Sequence, residues 1–575
     1  MSRPYSTLVV AILGVLVGES VAATPREAVL RVVPENAGFC LLVTDLRGRL
    51  DEFRRSPFVE RLLASPIGQA LRADPELQKL AKFDEQLRAA LDTSTAQLRD
   101  DIFGDAVLLT FTPGPPDKPE LDSGLFALYA RDPALLARLV ERLNVTQQQS
   151  GEIIDIQQRE HGGVRYWQRR KKAEDIEFVA VRGSLFLLAD KEAAIHAAID
   201  RGTSSGSSAV GRRIGELGLV ASPIVWWLNP RAFDPALRHK LATTSGTDAT
   251  FLRTFVRYWE SLDDVALHLR IDNDAIVELS IRARTNAMPA NARRLLTDAG
   301  TPSALLSAFP ADALFIAGGR LTLDAMAQVG GEFLSADARR EAVAGLQRSV
   351  GAVLGNDALT AFVQAAGPDW GVCVRPPDGK GGIPSLLAAL RLRPAGDPPV
   401  EQRAIEGLDF VARLIAFAVN SQHGAQWRVR SERQGAIDVR FIDPDAGLPA
   451  GLRPAFAWKD RFLVVGSSPE AIRQFTPPTA EPQTTTGNVL LARLSARAWA
   501  SYLRRYRDEV ATFLADANKQ PRSEVQQRLD GLIAVTDLFD SVELSQATTA
   551  GGAKLTLRLK PANPFASDEA TKKPH

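Results

Sequence analysis

Residues Ala180–Ile195 read AVRGSLFLLADKEAAI, and residues Ala457–Ile472 read AWKDRFLVVGSSPEAI. The two stretches align without a gap, 277 positions apart from Ala180 to Ala457. Each has an apolar strand, a polar turn (Arg182-Gly183-Ser184; Lys459-Asp460-Arg461), and a second apolar strand. A short polar break then opens a helix bearing Ala and Ile. A strand–turn–strand–helix unit is the reading that fits this layout.

Working outward, further anchors recur in the same order. Thr24-Pro25 answers Thr301-Pro302, and Pro34 and Pro310 each lead into a strand, Phe39–Val43 and Leu314–Ala317. Helical sequence follows, Leu50–Leu71 with Leu77–Phe103 in the first half, interrupted by the Ser-Pro steps at Ser56-Pro57 and Ser65-Pro66, and Leu323–Leu334 with Asp337–Ala366 in the second. Gly104 and Gly367 close these regions, where caps with positive φ are expected. Strands Ala106–Phe111 and Trp370–Val374 then enter Pro/Gly-rich loops (TPGPPDKPELD and RPPDGKGGIP), and each loop leads into another apolar strand.

Helices Pro133–Leu143 and Ala404–Val419 come next. Hairpins follow at Ile153–Gln157 with Val164–Gln168 and at Trp427–Arg430 with Ile437–Phe441. After the opening stretch come strands Ile224–Leu228 and Val489–Leu494. In the last pair of hairpins, Val265, Leu267, Leu269 and Ile271 alternate with mostly polar residues, turn at Asp272-Asn273-Asp274 and return through Val277, Leu279 and Ile281. Val542–Leu544 and Leu555–Leu559 repeat this arrangement. Period-two alternation predicts one buried and one wet face.

The fold class expected is α+β: two homologous domains from an internal duplication, 24–287 and 301–562, each a mainly antiparallel sheet with helices packed on one side. At 575 residues the chain exceeds one ordinary core. Hydrophobic residues at 45% and charged residues at 24% are those of a globular protein. A net charge of +1 gives no global attraction to nucleic acid.

The N-terminus reads as an address. Arg3, the apolar run Leu8–Val17 and the small residues Val21-Ala22-Ala23 fit a signal peptide over 1–23, cleaved after Ala23. The location expected is periplasmic or extracellular, with an uncleaved N-terminal membrane anchor as the alternative. No transmembrane span is expected after signal removal. The tail 563–575 is polar and expected to be disordered. Export permits disulfides, but the two cysteines, Cys40 and Cys373, do not hold equivalent positions; buried free thiols are expected, with a Cys40–Cys373 bridge as the alternative.

No reactive constellation emerges. None of the six histidines (His161, His196, His239, His268, His423, His575) pairs with another at metal-site helical spacing, so they are expected to be exposed or locally bonded. Gly202-Thr203-Ser204-Ser205-Gly206 matches a nucleophile elbow but lies in linker-like sequence. Asp378-Gly379-Lys380-Gly381-Gly382 lacks the Lys-Ser/Thr ending of a phosphate loop. Arg169-Arg170-Lys171-Lys172 is expected at a solvated hairpin tip. Asp100-Asp101 and Asp263-Asp264 are adjacent pairs whose side chains diverge, and Trp226 and Trp227 point to opposite faces of a strand. No catalytic, cofactor-binding or metal-binding residue is assigned.

The stretch from Val33 to Phe58, with Val33-Pro34-Glu35-Asn36-Ala37-Gly38-Phe39, Asp45-Leu46-Arg47 and Ser56-Pro57-Phe58, resembles exported bacterial proteins of a domain-of-unknown-function class with duplicated α+β units. That resemblance implies a Pro-led strand, a helix with a Ser-Pro step and the strand–turn–strand–helix unit; it carries no activity or functional residue. The role expected is a non-enzymatic envelope protein acting through surface binding or assembly on an envelope protein partner. The alternative is a carrier holding a hydrophobic or small ligand in a groove between the two repeats.

Overall fold

The computed structural model describes residues 23–562, apart from 173–174, 205, 207, 353–354, 378–381, 395–398, 436, 445–447, 450, 479–486 and 550. The apolar run Leu8–Val17 and the tail 563–575 lie outside these residues. The fold is α+β with extensive antiparallel sheet. The chain divides into two compact units. The first is 1–48, 83–114 and 120–223; the second is 49–82, 115–119 and 224–575.

Unit one holds seven strands among the described residues: β1 Phe39–Thr44, β2 Ala106–Thr112, β3 Ser123–Tyr129, β4 Ile153–His161, β5 Val164–Lys171, β6 Ile176–Arg182 and β7 Leu185–Ala189. Their order across the sheet is β1-β2-β3-β7-β6-β5-β4, every pair antiparallel. Helix Pro133–Gln149 lays Leu135, Leu136, Leu139 and Val140 onto this sheet, the i, i+1, i+4, i+5 stripe of a core-facing helix. Asp132 caps it through its side chain.

Unit two holds the other thirteen: β8 Ile224–Leu228, β9 Leu262–Ile271, β10 Ala275–Ala283, β11 Phe315–Arg320, β12 Ala366–Arg375, β13 Ser385–Leu392, β14 Arg428–Gln434, β15 Ile437–Asp443, β16 Ala455–Lys459, β17 Phe462–Gly466, β18 Val489–Ser495, β19 Phe539–Thr549 and β20 Gly552–Pro561. Within it, β11-β12-β13-β17-β16-β15-β14 runs in the same order as the seven strands of unit one. Strand β11 continues through β18-β19-β20-β10-β9-β8.

The opening stretches are hairpins β6–β7 and β16–β17. Gly183 turns the first with φ +57°, and Asp460 and Arg461 turn the second with φ +47° and +71°. Positive φ at both central residues is the type I′ pattern that matches strand twist. Helices Glu192–Thr203 and Pro469–Gln474 follow.

Several expectations need correction. Gly367 does take φ +102°, but Gly104 does not take positive φ. A Cβ there would stand 2.4 Å from the Asp100 carbonyl oxygen, so close backbone approach is what requires glycine. The basic run is not a hairpin tip. Arg169 to Lys171 lie on β5, whose alternation turns Arg169 inward, 3.4 Å from Glu177. The breaks expected at Ser56-Pro57 and Ser65-Pro66 are present, and each serine caps the next helix.

The β9–β10 hairpin holds the largest surprise. Its alternation is as predicted, but the side turned inward carries the polar residues. Asp264, His268, Ser280 and Thr556 are buried, whereas Leu267 is 42% exposed and Leu555 and Leu557 are each 37% exposed. Burial of polar side chains is tolerated because they satisfy one another. Glu278 lies 3.2 Å from His268 Nε2 and 3.0 Å from Lys554 Nζ, and accepts from Ser280 Oγ and Thr556 Oγ1. Asp264 accepts from Trp227 Nε1 at 3.0 Å and pairs with Arg282.

The hydrogen bond from His268, with Lys554 beside it, holds the Glu278 carboxyl down at about 2 against the desolvation that opposes it. A depressed folded-state pKa adds stability above the ordinary value of 4.5, and that stability is lost as pH falls through about 2. Glu278→Gln is therefore expected to flatten the acid limb of the stability curve between pH 4.5 and 2, read by urea denaturation at each pH.

Candidate functional site

The apolar side of the β9–β10–β20 ladder runs into a cleft of about 480 Å³ within unit two. That is the size at which ligand pockets begin to hold a drug-sized molecule. The floor is sheet: Leu262, Ile281, Ala283 and Ala553. One wall is helix Gly246–Trp259, whose Phe255, Tyr258 and Trp259 line the space. The opposite wall is helix Ala290–Ala299, which presents Ala292, Leu295, Leu296 and Ala299 at i, i+3, i+4, i+7. Leu321 and Val329, before and within helix Leu323–Glu332, close the end.

Polar atoms in the lining are already engaged. The Ser261 hydroxyl donates to the Tyr258 carbonyl at 2.6 Å. Trp259 donates its indole N–H to the Pro230 carbonyl at 3.1 Å and stacks on Phe255 at 5.7 Å. The Tyr258 hydroxyl donates to Glu332 Oε2 at 3.1 Å. Burial, then that carboxylate, pushes the Tyr258 phenol up to about 12, so it stays neutral at ordinary pH. What the cleft offers a ligand is apolar surface.

Glu332 ties the walls together. Its carboxylate accepts from Tyr258 and, at 3.1 Å, from Asn291 Nδ2; it also pairs with Arg257, and its backbone carbonyl accepts from Thr254 Oγ1 at 2.8 Å. Three helices thus meet at one side chain. Phe333, next in the chain, lies 5.3 Å from the Tyr258 ring and 5.6 Å from Phe251, which is more than half exposed. An aromatic track leads from the cleft to the surface.

The histidines behave differently from the expectation of isolated, locally bonded rings. His161 and His196 stack at 4.0 Å with planes 5° apart. His161 Nε2 contacts Asp200 at 2.9 Å and His196 Nε2 contacts the Tyr166 hydroxyl at 2.8 Å; that hydroxyl donates to Glu192 at 2.7 Å, which also pairs with Arg159. Glu192, His196 and Asp200 share one helix face at i, i+4, i+8, and the others come from the β4–β5 hairpin. The network fastens helix Glu192–Thr203 to that hairpin. Helical spacing within one segment misses it, because half of its members sit on strands. His268 is buried against Glu278 rather than exposed.

Other considered residues stay apart. Asp263 pairs with Arg284 and Asp264 turns inward to Trp227 and Arg282, as divergent neighbours must. Trp227 is fully buried. Cys40 and Cys373 are both buried and free. Ser205 of the nucleophile-like pattern and 378–381 of the phosphate-loop-like pattern lie outside the described residues. Among the described residues, no group of three or more His, Cys, Asp or Glu could hold a metal ion. No protein-family model matches the chain, and no curated protein matches it.

Removing the tie should loosen the cleft without unfolding the unit. Glu332→Ala is expected to speed amide exchange at the facing ends of helices Gly246–Trp259 and Ala290–Ala299, measured by hydrogen–deuterium exchange, while exchange in β12 and β13 is unchanged. Tyr258→Phe removes one hydrogen bond and should cost only about 1 kcal/mol of stability.

Proposed function

We propose that this chain is a non-enzymatic, exported envelope protein that carries an apolar ligand, the acyl chain of a lipid-like amphiphile, in the cleft beside helix Ala290–Ala299. The observation that carries this reading is a cleft of about 480 Å³ lined by apolar side chains whose few polar atoms are spent on the protein itself. Burying alkyl surface there gains roughly 25 cal/mol per Å², while a polar ligand would lose its water without replacement.

The reading includes an internal duplication, with 24–287 and 301–562 as homologous domains. Its support is the gapless match of the two opening stretches and the common strand order of β1–β7 and β11–β17. On that reading the cleft takes Phe255, Trp259 and Ile281 from one repeat and Leu321, Val329 and Ala553 from the other. Export rests on Arg3, the run Leu8–Val17 and the small residues before Thr24, and on the resemblance to exported proteins of unknown function. Among the described residues no helix is long and apolar enough to cross a membrane.

A second reading, action through surface assembly on an envelope partner, has one observation in its favour. Helix Val400–His423 buries the small residues Ala404, Ala412 and Ala416 and exposes Phe410, Leu414 and Phe417 at i, i+4, i+7.

The test is direct. A long-chain fluorescent fatty acid titrated into the purified chain is expected to bind at about one equivalent and to quench Trp259. Ala292→Trp with Ala299→Phe fills the cleft and should weaken binding at least ~10-fold while leaving the circular dichroism spectrum intact. Binding that survives both substitutions would overturn the assignment.

A further inference from the structure

A second opening, about 270 Å³, lies in the β11–β17 set of unit two. Its floor is two cross-strand pairs on one face of the sheet, Cys373 with Leu387 and Arg375 with Ser385. Phe309 and Phe475, 6.4 Å apart, supply an aromatic side. Arg375 donates from Nη1 to the side-chain oxygen of Gln474, the last residue of helix Pro469–Gln474. Burial pushes the Cys373 thiol up to about 11, so it lines the space as a neutral group and not as a nucleophile.

The matching strand pairs in unit one carry no guanidinium. There the strand pairs are Thr110 with Leu125 and Thr112 with Ser123. Helix Glu192–Thr203 continues past the point where its counterpart stops, burying Ala198 and Ile199. Helix Ala209–Glu216 adds Val210 and Ile214. In unit two, Phe475 turns to extended backbone and Thr476-Pro477-Pro478 follows, a sequence that ends a helix. On a shared strand order, the local sequence change brings in a guanidinium and an amide.

We propose that this opening binds a small monocarboxylate bearing an aromatic group. The carboxylate takes the place of the Gln474 oxygen on Arg375, whose planar guanidinium donates to carboxylate oxygens. The ring packs against Phe309, Phe475 and Leu387. Size agrees, because a cavity of roughly 150 Å³ already holds benzene and the remainder accommodates a short acid arm. This site is independent of the apolar cleft and of the ligand proposed for it.

The experiment uses the whole purified chain with phenylacetate, and with 2-phenylethanol and phenethylammonium as neutral and cationic analogues. Phenylacetate is expected to bind with a dissociation constant below ~1 mM by calorimetry and to raise Tm, and the two analogues at least ~10-fold more weakly. Arg375→Gln should weaken phenylacetate at least ~10-fold, and Ala308→Phe, which fills the opening from its rim, should abolish binding. The cleft substitution Ala292→Trp should leave it unchanged. No binding by phenylacetate, equal binding of the alcohol, or full binding by the folded Arg375→Gln protein would each overturn the assignment. Loss of fatty acid binding alone would count against the carrier reading and leave this site standing.

Discussion

The ion-paired carboxylate of Glu278, half-buried with Lys554 beside the buried His268, Thr556 and Ser280 on one side of the β9–β10–β20 ladder, fixes how the centre of unit two is oriented. A strand pair has two faces, and a slip of one residue exchanges them. Turning Glu278 outward would strand His268 and Asp264 among different neighbours and bury Leu267 and Leu557 in their place. The polar network holds the polar side in. It leaves the leucine side to form the floor of a cleft, which is the reverse of the usual bargain between sheet and water.

Once that floor faces outward, the helices around it follow. Helices Gly246–Trp259 and Ala290–Ala299 cover part of it, and Glu332 fastens both to helix Leu323–Glu332. Full coverage would make a plain core. Partial coverage leaves about 480 Å³ and a row of exposed leucines beyond it. The polar groups nearest the space are satisfied by the protein, so what the cleft presents is shape and apolar surface.

The two seven-strand sets show how a common frame takes on different interiors. Both pair their strands in one order and both place a helix after the hairpin at the opening stretch. In unit one that helix runs on to Thr203, with Ala198 and Ile199 buried. In unit two a Pro-Pro step stops it, and Arg375 and Gln474 line the opening left behind.

Much of this was legible in the chain itself. Hairpins β6–β7 and β16–β17, the alternation of β9, β10 and β20, the divergence of Asp263 from Asp264, the burial of both thiols and the Ser-Pro breaks follow from local rules of turn chemistry and period, which act over a few residues. Other features were not legible. Arg169 reads as surface charge until β5 turns it toward Glu177. His161 and His196 are 35 positions apart and meet only because a helix lies across a hairpin. Periodicity states that a strand has two faces, but which face is covered depends on elements far along the sequence. Those elements place the polar network inward, leave the leucines open and create both the cleft and the recess, and only tertiary packing decides that.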